Sequence, residues 1–291
     1  MKINVLGGTG QLGSRIIDSL LRAGARPEQL VISCRNEAKA RRFAELGIEI
    51  RYADYDVPES LAPAFDDTDV LMQIPSMAPV EDRVIEHDRI LAGAKSASVR
   101  RIVFSSFSAA RTDSLFLIAP YLVYAETKVR LCGIDWTILR NGMYLDPLAD
   151  WAPELVKQGR LPYPVQSGRV AYISRDDLAR ASASALMQDG HSGQVYELTG
   201  PEAVSMPQLA GALTAATGTP IAFDCVSESE FEEICREDDI PDEIVAILAS
   251  MYRAVDHGEF ARVTDHVELL SGAPAESVEA HLQRAIGVPG G

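Results

Sequence analysis

The stretch Val5-Leu6-Gly7-Gly8-Thr9-Gly10-Gln11-Leu12-Gly13-Ser14 limits most strongly what this chain can fold into. Four glycines stand where a short apolar run, Lys2–Leu6, gives way to Leu12, Ile16, Ile17, Leu20 and Leu21 at helical spacing. Glycine loses more backbone freedom on folding than any other residue, so a cluster needs a local reason. That reason is either a tight turn or something that must lie against bare backbone. Two registers fit, Gly8-x-Gly10-x-x-Gly13 and Gly7-x-x-Gly10-x-x-Gly13. In both, one glycine makes the turn, one lets the backbone approach a pyrophosphate, and Gly13 packs helix on strand. The helix N-terminus then directs unsatisfied N–H groups and a positive dipole end at the phosphates. A glycine turn that binds nothing is the alternative; the strand before it and the helix after it favour dinucleotide binding.

The pattern continues along the chain. Strand-like runs at Leu30–Ser33, Ile48–Tyr52, Val70–Ile74, Arg101–Ser105 and Trp136–Arg140 alternate with helical segments at Glu37–Leu46, Pro58–Phe65, Val80–Ala97 and Pro120–Leu131. Near-continuous apolar strands between helices predict a parallel sheet covered on both faces. The expected fold is therefore α/β, a Rossmann-type doubly wound parallel sheet. After Asn141 the character changes: a helix is expected over Asp150–Gly159, and two later helices carry Ser174 and Ser205 as N-caps. No clean linker separates the halves, so residues 1–145 read as the dinucleotide domain and 146–291 as a smaller α/β lobe interleaved with it. Between Ser227 and Ala249, nine Asp/Glu face only Arg236 and alternate with Phe231, Ile234, Ile240 and Ile244, the pattern of a solvated helical face.

Composition narrows the partners. A net charge of −15 disfavours nucleic acid and anionic membrane surfaces. No stretch approaches the roughly 18–20 apolar residues a membrane span needs. The four cysteines are scattered without metal-ligand or CxxC spacing, so free thiols in a reducing compartment are expected. These features predict a cytoplasmic monomer or homodimer acting on a small molecule.

The end of the second strand should select the cofactor. A carboxylate there would accept the ribose hydroxyls of NADH, but the chain reads Ser33-Cys34-Arg35-Asn36. Arg35 can form charge-assisted bonds to a 2′-phosphate, which favours NADPH. With Arg35 facing solvent and Glu37 on the ribose, NADH remains possible. Tyr124-Ala-Glu-Thr-Lys128 matches a YxxxK pair, in which a nearby ammonium lowers the phenol pKa for proton exchange.

Taken together, "GGTGQLGS", Arg35-Asn36, "YADYDVPESL" (52–61), "SSFSAA" (105–110) and "DWTILRNGMY" (135–144) resemble the NmrA-like, atypical short-chain dehydrogenase/reductase family. The branch that fits is the NADPH-dependent quinone oxidoreductases and triphenylmethane dye reductases. "ISRDDLARASASAL", "YELTGPEAVSMPQLA" and "LSGAPAESVEAHLQ" extend the resemblance over nearly the whole chain. It implies that Gly7, Thr9, Gly10, Gln11 and Leu12 cradle the pyrophosphate and that Arg35 meets the 2′-phosphate. It places Asp54 and Tyr55 beside the adenine and Ile74, Pro75 and Ser76 beside the ribose. Ser105 and Ser106, with Phe107, would lie near the nicotinamide, and Phe107, Asn141, Gly142 and Tyr144 would line the substrate side. Core packing for Phe107 and Tyr144, and a turn role for Asp54, are the alternatives.

Anchored on "ILRNG", the resemblance puts the family's Lys or His at Leu122. Lys128 lies six residues on, about 600° of helix or 240° net at roughly 3.6 residues per turn, so it would face away from the cofactor. The expected activity is hydride transfer from NAD(P)H to a quinone-like, electron-poor acceptor. The alternatives are an NADP-binding sensor without catalysis, or a ketoreductase or epimerase that uses Tyr124 and Lys128.

Overall fold

Three of the first four strands are buried at every position, which is why they read as near-continuous apolar runs, broken only by buried Asn4, Ser33 and Gln73. In the computed structural model, which describes residues 1–287, the strands are β1 (Ile3–Leu6), β2 (Leu30–Cys34), β3 (Glu49–Tyr52), β4 (Val70–Gln73), β5 (Arg101–Phe107), β6 (Asp135–Asn141), β7 (Arg160–Tyr163), β8 (Arg169–Val170), β9 (Gln194–Leu198), β10 (Val204–Ser205) and β11 (Ala222–Cys225). The helices are α1 (Gln11–Arg22), α2 (Arg41–Ala44), α3 (Leu61–Ala64), α4 (Val80–Ser96), α5 (Ala119–Leu131), α6 (Asp146–Gln158), α7 (Arg175–Met187), α8 (Met206–Thr217), α9 (Glu228–Glu237), α10 (Asp242–Asp256), α11 (His266–Ser271) and α12 (Val278–Ile286).

Seven strands form one parallel sheet in the order β3-β2-β1-β4-β5-β6-β9. Leu6 at the end of β1 stands opposite Ser33 on one side and Gln73 on the other. The glycine turn therefore leaves the sheet between β1 and β4, where strand order reverses and open α/β sheets bind ligands. β9 joins the far edge of this sheet, while β7 with β11 and β8 with β10 make two small ribbons. The fold is the doubly wound α/β architecture.

Two apolar cores cover the sheet faces. One gathers Ile16, Ile17, Ile32 and Phe43 with Leu178 and Leu186 of α7, against which α1 packs. The other joins Leu71, Phe104 and Ile138 to Leu122 of α5 and to Tyr163, Phe231 and Tyr252 beyond the sheet. Ser174 and Ser205 cap α7 and α8 by accepting from the N–H groups of Asp177 and Gln208. Two local expectations need correction. The helix expected from Asp150 starts at Asp146, because Pro147 fits the first turn, where its missing N–H costs nothing. The single helix over 37–46 is a 3-10 turn, Glu37–Ala40, leading into α2, tightened by Asn36 accepting from the Ala38 N–H. Among the described residues no helix is long and apolar enough to cross a membrane.

Candidate functional site

The glycines divide their tasks by position. Gly7 has φ +80°, a left-handed conformation that disfavours a side chain, and its N–H bonds the Ser33 carbonyl of β2 at 3.2 Å. A Cβ on Gly13 would lie 2.3 Å from the Gly7 carbonyl oxygen and 2.8 Å from the Gly8 Cα. Gly13 thus seats α1 on the turn itself rather than on the strand. Gly10 has an ordinary φ of −78°, and its Cβ would meet only the Gly7 oxygen at 3.3 Å. A side chain there needs the Gly7 carbonyl to give by only a few tenths of an ångström, so bare backbone at Gly10 serves chiefly whatever approaches the turn. α1 has no side-chain cap and no acidic residue in its first turn. Its leading N–H groups, at Gln11 and Leu12, are left for an anion. Thr9 flanks them, half-buried.

Arg35 follows β2, exposed, and makes no ion pair among the described residues. Asp54, placed next to it beyond β3, uses its carboxylate locally: Oδ1 accepts from the Asp56 N–H at 3.0 Å and Oδ2 from the Tyr52 hydroxyl at 3.2 Å. That is the turn role, so any contact with an adenine would come from the surface of the segment rather than from a free carboxylate. The Tyr55 carbonyl accepts from Arg89 at 2.7 Å, and burial raises its phenol pKa. Ile74 backs onto Gly7, and the Ser76 hydroxyl is held by Glu86 of α4.

Beyond β4 and β5 two adjoining hollows open. The first, about 270 Å³, is lined by Ile74, Pro75, Ser76, Ser105, Ser106, Phe107, Leu122 and Tyr144 among others. The second, about 350 Å³, shares Met77, Phe107, Tyr144 and Leu248 with it and adds Met143, Trp151, Tyr163, Tyr172 and Tyr252. Phe107 and Tyr144 both line the hollows and pack in the core, with ring centroids 6.2 Å apart. Asn141 Nδ2 donates to Ser105 Oγ at 3.0 Å and to the Tyr144 hydroxyl at 3.2 Å, leaving its buried Oδ1 without a partner. Ser106 Oγ donates to buried Glu126 at 2.8 Å, away from the hollow. Gly142 does not line this space. Its N–H bonds Leu198 of β9 at 2.8 Å, and a Cβ would press on the Leu198 and Ala171 carbonyls, so its bareness serves strand packing.

Tyr124 and Lys128 point to α4. The Tyr124 hydroxyl donates to Asp88 Oδ2 at 2.7 Å, and Lys128 Nζ lies 3.2 Å from Asp88 Oδ1. Burial and the Asp88 carboxylate raise the phenol pKa, opposite to what a proton-transfer tyrosine needs. Tyr121 and Leu122 are the α5 residues that line the hollow. Two charged residues there were not singled out in the sequence. Arg83 of α4 is buried and lines the first hollow. Arg175 stands behind the hollow's Tyr144, its guanidinium carbon 5.1 Å from that ring's centroid and its Nη1 3.6 Å from Asp146 Oδ1. Neither follows a motif; only tertiary packing brings them here.

The NmrA-like family model matches residues 1–280. The chain belongs to the NmrA-like family. It is 33% identical to quinone oxidoreductase 2 of Escherichia coli, over 96% of this chain and 98% of that one. The structure of the E. coli NADPH-dependent quinone oxidoreductase in complex with NADPH superposes with a TM-score of 0.92 at 31% identity, covering 97% of this chain and 99% of the other. Citrobacter triphenylmethane reductase complexed with NADP(H) gives a TM-score of 0.92 at 28% identity, covering 98% and 100%.

Proposed function

We propose that this NmrA-like protein is an NADPH-dependent reductase that passes hydride to a planar, electron-poor acceptor of the quinone class. The observation that carries this is an uncapped glycine turn at the strand-order reversal, backed by Ile74, which in turn lines the aromatic hollow beyond β4 and β5. The E. coli and Citrobacter proteins it matches end to end are a quinone oxidoreductase complexed with NADPH and a triphenylmethane reductase complexed with NADP(H).

The residues fit such a cofactor. Gly7, Thr9, Gly10, Gln11 and Leu12 offer bare backbone and helix N–H groups to a pyrophosphate, and unpaired Arg35 offers its fork to a 2′-phosphate. The cofactor supplies the hydride; the protein supplies orientation and exclusion of water. Ile74–Ser76 and Ser105–Phe107 line the wall along which its reactive end would lie, and the Asn141 Oδ1 is an acceptor without a partner near it. Phe107, Tyr144, Trp151 and Tyr172 offer flat apolar faces that suit stacking on a quinone ring. With leucine at position 122 and Tyr124 tied to Asp88, water supplies the proton.

An anaerobic assay with benzo- and naphthoquinones tests the reading. NADPH should be consumed one-for-one with hydroquinone formed. Tight NADPH binding with no oxidation by any quinone would make the protein a dinucleotide sensor instead.

A further inference from the structure

Arg83 is a buried cation in an apolar wall. Only 8% of its surface is exposed, and it lines the same hollow as Ser105, Phe107 and Leu122. Its Nε donates to the Ala78 carbonyl at 2.5 Å, and the guanidinium carbon stands 6.0 Å from the Tyr121 ring centroid. Among the described residues it makes no ion pair. Of the acids on α4, Glu86 is the one whose charge acts on it, from beyond ion-pair distance; its carboxylate is hydrogen-bonded to Ser76 and its own pKa is raised by burial. The Tyr121 phenol is pushed further towards neutrality, also by burial. An arginine stays charged at any physiological pH, and an uncompensated buried charge is costly. Glu86 and the Tyr121 ring compensate it only in part, so an occupant of the hollow has room to supply the rest.

Resting on the quinone-reductase reading above, we propose that Arg83 is a catalytic residue: it receives the negative charge that hydride transfer places on an acceptor oxygen. It thereby selects neutral carbonyl acceptors over cationic dyes. In the step, the C–H bond of the dihydronicotinamide breaks and a new bond to hydrogen forms on the quinone. The displaced π pair settles on a quinone oxygen as one full negative charge. The cofactor is oxidised by two electrons, the quinone is reduced by two, and water gives the proton that completes the hydroquinone. A guanidinium fixed beside that oxygen stabilises the transition state more than the neutral ground state. A triphenylmethane cation has the opposite requirement. It starts positive, ends neutral and never develops an oxyanion, so the same arginine repels its ground state.

The test compares wild type, Arg83→Met and Arg83→Lys with 1,4-naphthoquinone and with crystal violet, a cationic triphenylmethane dye. Arg83→Met should lower naphthoquinone turnover about a hundredfold, mainly in kcat, the scale of losing one oxyanion donor. Arg83→Lys should recover at least tenfold of that loss. Crystal violet turnover should stay level or rise, and NADPH affinity by calorimetry should stay within twofold. A parallel fall for both acceptors, or a matching loss of NADPH affinity, overturns the proposal. A binding arm on wild type with NADP⁺, read by quenching of Trp151 in the adjoining hollow, needs neither turnover nor a folded variant. 1,2-Naphthoquinone-4-sulfonate should bind more tightly than crystal violet, despite the chain's net charge of −15. Tighter binding of the dye overturns the charge assignment, whereas absence of quinone turnover with anion preference intact overturns only the reductase reading.

Discussion

Gly13 and Gly10 sit three residues apart and answer to different physics. Gly13 is fixed by the fold: a methyl group there meets three backbone atoms closer than 3.0 Å, and backbone cannot step aside cheaply. Gly13→Ala should cost about 1–3 kcal/mol, the usual range for overpacking, measured by urea denaturation without cofactor. Gly10 answers mainly to the ligand: Gly10→Val should stay folded, at a cost of about 1 kcal/mol for a poorer N-cap, but lose NADPH affinity at least tenfold by calorimetry. Undiminished affinity in the folded variant would remove the pyrophosphate from this turn. Arg35 makes a complementary prediction. A charge-assisted bond contributes about 1.5–3 kcal/mol, so Arg35→Ala should weaken NADPH about ten- to a hundredfold and leave NADH within twofold. If both cofactors weaken alike, Arg35 contacts only what they share.

The elements were legible where one local rule governs them. The strands could be read because burial on both faces leaves them mostly apolar, and the caps because Ser174 and Ser205 act within three residues of themselves. The remainder depended on tertiary direction. The resemblance put Gly142 on the substrate side, yet β9, arriving from residue 194, packs against its backbone. Arg83 carries no signal at all in the sequence. The Tyr124 and Lys128 pair shows the same limit: four-residue spacing guarantees a common helix face but not which face. Here it is the face turned to Asp88 of α4. Lys128→Met should change quinone reduction by less than about threefold, under roughly 0.7 kcal/mol of barrier. Tyr124→Phe should lose about 0.5–1.5 kcal/mol of stability for its hydrogen bond and keep its turnover. Losses of about 10²–10⁴ in both variants, with NADPH affinity retained, would make them a proton-transfer pair after all.

For the whole molecule, the second core carries a titrating group that couples pH to global stability. His87 of α4 is 1% exposed, packed edge-on to Phe104 at 5.2 Å, with its Nδ1 2.8 Å from Gln73 Nε2. Burial pushes its pKa down to about 4, against about 6.5 in an unfolded chain. As pH falls below 6.5 the unfolded state takes up a proton that the folded state refuses, so stability declines until the folded group also titrates near 4. At about 1.4 kcal/mol per pH unit, the loss between pH 7 and pH 5 comes to about 2 kcal/mol. Half-buried His191 is shifted the same way by burial and contributes in the same window, so the measurement must be a difference between proteins. Glu49 and Glu276, both held near 2, act only below about pH 4.5 and do not overlap it. Urea denaturation at pH 7 and pH 5 should therefore show His87→Phe losing about 2 kcal/mol less than wild type on acidification, even if it is less stable at both. Equal losses in the two proteins would mean that charged His87 finds a partner inside the fold. Gln73, whose Oε1 has no partner and which ends the strand leading to Ile74, is the side chain placed to be that partner. In that case acid would act on the wall of the cofactor hollow before it unfolds the protein.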